Sequence, residues 1–167
     1  QIYNLIQKID DQLKIDLKKV TILLDPLRLN INAKTIGTNL SYNEKTIEIE
    51  SIKSIISLKA LIKKQPSLSN LEISTKSIKV ENFISFLRLF KNDAKIYFAE
   101  KIIKRGFLVT DININFDEKG KVKNDYIVKG FVKDGEINLP KNYDLSNIDL
   151  DFLIKENNFN FSKINLF

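Results

Sequence analysis

The chain contains no cysteine, histidine, methionine or tryptophan, and only five glycines among its 167 residues. Without cysteine there are no disulfides, no thiolate metal sites and no thiol catalysis. Without histidine the chain lacks the commonest general base and the commonest ligand of transition metals. Glycine-rich phosphate-binding loops and dinucleotide-binding turns are absent as motifs. The sequence therefore indicates no catalytic residue, no metal site and no cofactor.

Long hydrophobic runs are also missing. No stretch reaches the roughly 18 consecutive apolar residues of a transmembrane helix, and no signal peptide is visible. Because the chain begins at Gln1 and contains no methionine, we expect it to be part of a longer protein. Residues 1–167 are predicted to form a single β-rich domain.

Apolar residues make up 43% of the chain, which is enough for a core and argues against disorder. They are mainly Ile, Leu and Phe, and the β-branched and aromatic types favour strands. The net charge is +6, with local clusters at Lys18–Lys19, Lys63–Lys64 and Lys101–Arg105. Such a balance is compatible with an anionic membrane or nucleic acid, but the mixing of charges favours an ordinary solvated surface.

Alternation of apolar and polar residues predicts a chain made mostly of strands. The predicted strands cover residues 13–24, 27–32, 36–42, 47–58, 71–80, 108–116, 126–132, 137–139, 148–154 and 159–161. Turns are predicted at 25–26, 43–45, 117–120, 134–135, 140–143 and 156–158, where Asp, Asn, Gly and Pro cluster. An irregularity is expected near Thr75–Ser77.

Helical spacing predicts short helices over 2–13, 82–90 and 94–104, and a helical turn at 58–62 that stops before Pro66. The apolar stripes of the two central helices are Phe83, Phe86, Leu87 and Phe90, and Ile96, Ala99, Ile102 and Ile103. For the second of them, Asp93 is the predicted N-cap, Lys104 and Arg105 favour its C-terminus, and Gly106 is the predicted residue after it.

Two groups of residues are candidates for a functional site. Asp149 and Asp151 share one face of a predicted strand and could hold a cation or act as acid and base, but a solvated polar face is the preferred interpretation. Lys95, Tyr97, Phe98 and Lys101 combine basic and aromatic residues as nucleic-acid proteins do. Phe86, Phe90 and Phe98 are better explained as helix core, so no nucleic-acid partner is expected.

The predicted strands are too many for two or three short helices to cover. Their apolar face could be closed as a sandwich or barrel, or the sheet could remain an open trough whose apolar inside binds lipid. Considered without any relative, the residues favour the closed core.

Residues 26–80 carry a spacing pattern that is similar to the N-terminal region of AsmA-like proteins. Its positions are Ser57, Leu58, Leu61, Ile62, Leu71, Ile73, Ile78 and Val80, and the similarity extends over residues 13–155. The resemblance implies a mainly β fold, with a long, antiparallel, curled open sheet and two or three short amphipathic helices. It also implies a non-enzymatic, periplasmic protein that is anchored to the inner membrane of a Gram-negative-type bacterium through a segment outside this chain.

The function implied by this resemblance is phospholipid transport between the inner and outer membrane, or outer-membrane biogenesis, with acyl chains and envelope proteins as partners. The family pattern contains no ligand-specific residues. The groove candidates therefore come from alternation alone, and they are Ile112, Ile114, Phe116, Val128, Leu150 and Phe152. The alternative hypothesis is a structural or protein-interaction β domain with a closed core.

Overall fold

A computed structural model of the chain describes residues 14–42, 45–65, 68–90, 94–140, 143–156 and 158–166. Within them, the strands are β1 Lys14–Asp25, β2 Asn30–Tyr42, β3 Lys45–Ser57, β4 Leu68–Thr75, β5 Ile78–Lys79, β6 Ile103–Asn115, β7 Ile127–Leu139, β8 Tyr143–Lys155 and β9 Asn158–Leu166. The helices are α1 Leu58–Ile62, α2 Val80–Phe90 and α3 Ala94–Ile102. The predicted helix over 2–13 and the predicted cap Asp93 lie outside the described residues.

All the described strands belong to one antiparallel sheet in the order β1-β2-β3-β4-β6-β7-β8-β9, with β5 pairing with β6 beyond the end of β4. A mainly β fold with an open antiparallel sheet and short helices is thus confirmed. The sheet is uncurled, in contrast to the trough implied by the resemblance. In the described part of the chain β1 and β9 each pair on one side only, so the sheet closes into neither a barrel nor a sandwich.

The first three strands change the phase of their alternation at the same level of the sheet. Gly37 of β2 has φ +68°, and β3 slips against β4 between Ile49 and Ser51. Thr35 and Thr38 lie three residues apart on either side of Gly37, yet their Oγ1 atoms are 3.0 Å from each other and so lie on one face. This change of phase explains why the alternation predicted two strands where β2 is one continuous strand.

The core lies under α2, at the end of the sheet where β3 begins. Val80 and Ile84 of α2 are buried against Ile47, Ile49, Ile78 and Leu108 of the strands. Phe83, Phe86, Ile96, Ala99 and Ile103 pack around this cluster, as the predicted stripes require. Phe98, predicted as core, is 54% exposed because the sheet-facing side of α3 is occupied by Ile96 and Ala99. The side chains of Leu87 and Phe90 lie outside the described residues.

A polar pair bridges the interruption between β4 and β5. The pairing of β4 with β6 ends at Ser74, and β5 resumes it at Ile78. At this gap the backbone N–H of Thr110 in β6 donates to Oγ1 of Thr75 at 2.9 Å, and both residues are buried. The Thr110 hydroxyl donates to the carbonyl of Lys129 at 3.0 Å. Side chains therefore supply the hydrogen bond that the missing strand backbone does not.

The predicted end of the 94–104 helix is wrong. Helix α3 ends at Ile102, because Ile103 already pairs with Ile137 of β7. Arg105 lies in β6, where its Nε is 2.9 Å from Oε2 of Glu136. Gly106 also lies in this strand, with φ +143°, and a Cβ there would come within 3.2 Å of the Gly135 Cα. Gly106 thus permits a close approach of two strands instead of ending a helix.

Two other predicted boundaries are wrong. Asp134 and Gly135, predicted as a turn, lie inside β7, where Asp134 has φ +51° and the register with β8 shifts. These residues form an irregularity of the strand, and not its end. Leu27 and Leu29, predicted as strand, lie in the turn between β1 and β2, where the Asp25 carboxylate accepts the Arg28 N–H at 3.1 Å.

Candidate functional site: the apolar face of the sheet

One row of directly paired residues crosses the whole sheet and is apolar at all but one position. From β1 to β9 it contains Val20, Thr35, Ile52, Ile73, Ile112, Val128, Ile154 and Phe159. Paired residues of antiparallel strands point to the same side. Ile52 and Ile73 pack against the core under α2, so the whole row lies on the helix-bearing side of the sheet. We call this side the apolar face.

The neighbouring row shows that the opposite face is polar. It contains Thr21, Lys34, Lys53, Glu72, Asn113, Ile127, Lys155 and Asn158. Polar contacts also link strands on this face. Lys53 Nζ lies 3.2 Å from Glu72 Oε2, and the Asn70 amide donates to Asn113 and Asn115 at 3.0 and 2.9 Å. The two faces therefore differ, and we call the second one the polar face. Leu23, Phe131 and Leu153 are apolar side chains that are also exposed on it.

The helices cover only part of the apolar face. Helices α2 and α3 pack on β3, β5, β6 and β7, at the end of the sheet that contains the core. Nearer the other end, Ile22, Ala33, Ser54, Leu71 and Ile114 form a second paired row that lies outside the core cluster. At the two sides of the sheet the exposed fractions reach 67% for Ile22 and 62% for Phe159.

The dimensions of the apolar face suit a lipid tail. Eight strands at a spacing of about 4.8 Å give a width of roughly 34 Å. One phospholipid tail spans about half of a bilayer's hydrocarbon core, or roughly 15 Å. The face is thus wide enough for a tail to lie across several strands. Large exposed apolar surfaces are uncommon on proteins without a partner, so a ligand or partner for this face is expected.

The six predicted groove candidates are brought together on this face. Ile112 and Val128 belong to the first row, and Ile114 belongs to the second. Phe116 directly follows β6, two residues after Ile114, and so lies on the same side of the sheet. Leu150 and Phe152 of β8 pair with Val132 and Gly130. The geometry places these side chains together, and their contact with lipid stays a prediction.

Sequence reasoning missed the contribution of the two outermost strands. Val20, Ile22 and Leu24 of β1 and Phe159 and Phe161 of β9 are each more than half exposed on the apolar face. Their alternation is visible in the sequence. Their position at the sides of the sheet follows only from the pairing order, which alternation does not encode.

The candidate carboxylate pair lies on the polar face and has protein partners. Asp149 accepts the backbone N–H of Asp134 at 3.0 Å, and Asp151 is 2.7 Å from Lys163 Nζ. This contact with Asp151 raises the pKa of Lys163. Among the described residues, no group of three or more acidic side chains could hold a metal ion. Asp149 and Asp151 are thus used to join β8 to its neighbours.

Of the basic and aromatic candidates, the Tyr97 ring of α3 contacts two cations, and the Lys95 side chain lies outside the described residues. The Arg88 guanidinium and the Lys101 ammonium lie 5.6 and 5.5 Å from the centre of the Tyr97 ring. Arg88 additionally forms an ion pair with Glu100, which joins α2 to α3. These contacts give Tyr97 a structural role in the pairing of the two helices.

Comparisons with protein-family models, with curated proteins and with solved structures gave no match to this chain. The resemblance to AsmA-like proteins accordingly depends on the spacing pattern alone. In the described residues, no helix is both long and apolar enough to cross a membrane.

Proposed function

We propose that the chain is a non-enzymatic lipid-binding module whose apolar face holds the acyl chains of phospholipids. The proposal depends on one observation. An apolar row crosses the sheet from Val20 to Phe159, and the helices cover the apolar face only at the end of the sheet that contains the core. The pattern shared with AsmA-like proteins supports a role in phospholipid transport between bacterial membranes, or in outer-membrane biogenesis, at the periplasmic side of the inner membrane.

The energetics favour a ligand with long apolar chains. Each Å² of apolar surface removed from water contributes about 25 cal/mol, so a tail that covers several half-exposed side chains is stabilised by several kcal/mol. The face is broad and has few polar groups, so it provides little discrimination between lipid headgroups. Thr35 is the only polar member of the first row, and its hydroxyl is hydrogen-bonded to Thr38.

The proposal can be tested with a phospholipid that carries a fluorescent acyl chain. The lipid is added to the purified protein at a concentration below that at which the lipid itself aggregates. We expect saturable binding that Phe161→Ser weakens several-fold, because Phe161 lies on the apolar face beside Phe152. Phe161 is 57% exposed, so its replacement leaves the fold intact. Ile114→Asn, in the second row, is a further variant whose folding is checked by circular dichroism.

The matched control is Phe131→Ser, which makes the same change on the polar face. Phe131 pairs with Asp151 and is 41% exposed. If both variants lose binding equally, or if the wild-type chain binds no lipid, the proposal fails. If instead a co-purifying protein protects the apolar face from hydrogen exchange and no lipid is found, the alternative of a protein-interaction domain is favoured.

A further inference from the structure

A second surface lies at the end of the sheet opposite the core, and three of the connections at that end form it. We call it the loop end. It consists of the turn at 26–29, helix α1 with the residues 63–65 that follow it, and the β6–β7 connection at 116–126. The Leu58 N–H donates to the Leu29 carbonyl at 2.9 Å, and the Phe116 N–H donates to Ser69 at 3.0 Å. These bonds hold the three segments against one sheet end.

Each of these segments exposes large aliphatic side chains at its tip. Leu27 is 95% exposed and Ile62 is 81% exposed, and Leu61 and Val122 are half exposed. They belong neither to the core nor to a strand, so packing within the chain does not explain them. Every segment carries basic residues next to these side chains, in the sequences Leu27-Arg28, Leu61-Ile62-Lys63-Lys64 and Lys121-Val122-Lys123.

The acidic residues of the loop end are mostly engaged in local structure. Asp117 accepts the backbone N–H groups of Lys119 and Lys121, both at 2.8 Å. Asp125 accepts from the Asn115 amide at 3.2 Å, and Asp25 interacts with Arg28. These carboxylates keep their charge, but basic residues outnumber acidic ones at the loop end by seven to three, so its net charge is positive. The basic residues are Arg28, Lys59, Lys63, Lys64, Lys119, Lys121 and Lys123, and the acidic ones are Asp117, Glu118 and Asp125.

We infer that the loop end docks on the surface of an anionic phospholipid bilayer. Aliphatic tips flanked by lysines match such a surface, since the tips enter the headgroup boundary while the lysines attract anionic lipids. A nucleic acid fits this surface less well. Proteins that bind single-stranded nucleic acid use exposed aromatic side chains for base stacking, and the exposed tips here are aliphatic. The inference does not depend on acyl-chain binding by the apolar face.

Vesicle co-sedimentation of the whole chain tests this inference. We expect binding to vesicles of equal parts phosphatidylcholine and phosphatidylglycerol, weak binding to phosphatidylcholine alone, and loss of binding at high salt. Lys63→Gln with Lys64→Gln should weaken binding about 30-fold, since each lysine near an anionic surface contributes about 1 kcal/mol. Leu27→Ser with Ile62→Ser should weaken it at least about tenfold, through the loss of apolar insertion.

The charge-matched control is Lys104→Gln with Lys133→Gln, which removes two exposed lysines from the strands at the other end of the sheet. Binding by this variant should be unchanged. The inference is overturned if the control weakens binding as much as the Lys63 and Lys64 pair. It is equally overturned if the chain ignores anionic vesicles or prefers a single-stranded oligonucleotide. A chain that binds the fluorescent lipid in solution but ignores vesicles contradicts docking alone.

Discussion

Replacement of Thr75 by valine should destabilise the fold through one buried backbone group. The Thr75 hydroxyl accepts the Thr110 N–H at 2.9 Å across the gap between β4 and β5. The two residues are only 3% and 1% exposed, so water does not replace the lost acceptor. An unsatisfied buried donor costs about 1–3 kcal/mol, and valine fills nearly the same volume without adding a cavity term.

Urea unfolding followed by circular dichroism measures this change. The free energy of unfolding of Thr75→Val should fall by about 1–3 kcal/mol with an unchanged denaturant slope. Hydrogen exchange of the Thr110 amide should accelerate, while Thr75→Ser should retain most of the stability. Thr46→Val is the control, since Thr46 is exposed and only meets Ser41 at 3.0 Å. A Thr75→Val variant as stable as the wild type would refute the idea that a side chain bridges the gap.

Two further predictions concern a close backbone approach and an ion pair. Gly130→Ala should cost about 1–3 kcal/mol of stability in the same assay, because a Cβ would lie 2.1 Å from the Val109 carbonyl oxygen, whereas Lys129→Ala should be nearly neutral. The hydrogen bond and charge of Lys76 lower the pKa of Glu48. Carboxyl NMR titration should show this lowered pKa, and Lys76→Gln should raise it toward the ordinary value. The stability that the pair contributes is present above the unfolded pKa and is lost as the pH falls through the lower folded pKa. An identical Glu48 titration in both proteins would contradict the assignment.

Alternation predicted most strands because one face of the sheet is apolar and the other polar. The predictions failed at local irregularities that depend on contacts with residues far away in the sequence. Gly106 follows a helical stripe in the sequence, but it lies in a strand because it must approach Gly135 of β7. Asp134 and Gly135 resemble a turn, but the pairing of β7 with β8 continues past them. Neither the close approach of Gly106 to Gly135 nor the continued pairing of β7 with β8 can be predicted from the spacing of apolar residues.

The candidate site was predicted only in part for the same reason. Ile112, Ile114 and Phe152 were expected on one face, and the register places them there. What spacing could not predict is that β1 and β9 are the outer strands and that α2 lies over one end. The first depends on the pairing order of the strands, and the second depends on the packing of Val80 and Ile84 of α2 against the sheet.

Photo-crosslinking with a phospholipid that carries a diazirine in its acyl chain tests the central claim most directly. If the apolar face holds acyl chains, the labelled peptides should map to Ile22, Ile112, Ile154 and Phe159, which lie on that face. Peptides should then lack labels at Lys53 and Phe131, which lie on the polar face. Equal labelling of both faces, or labelling confined to the polar face, would contradict the claim that this sheet binds lipid through its apolar rows.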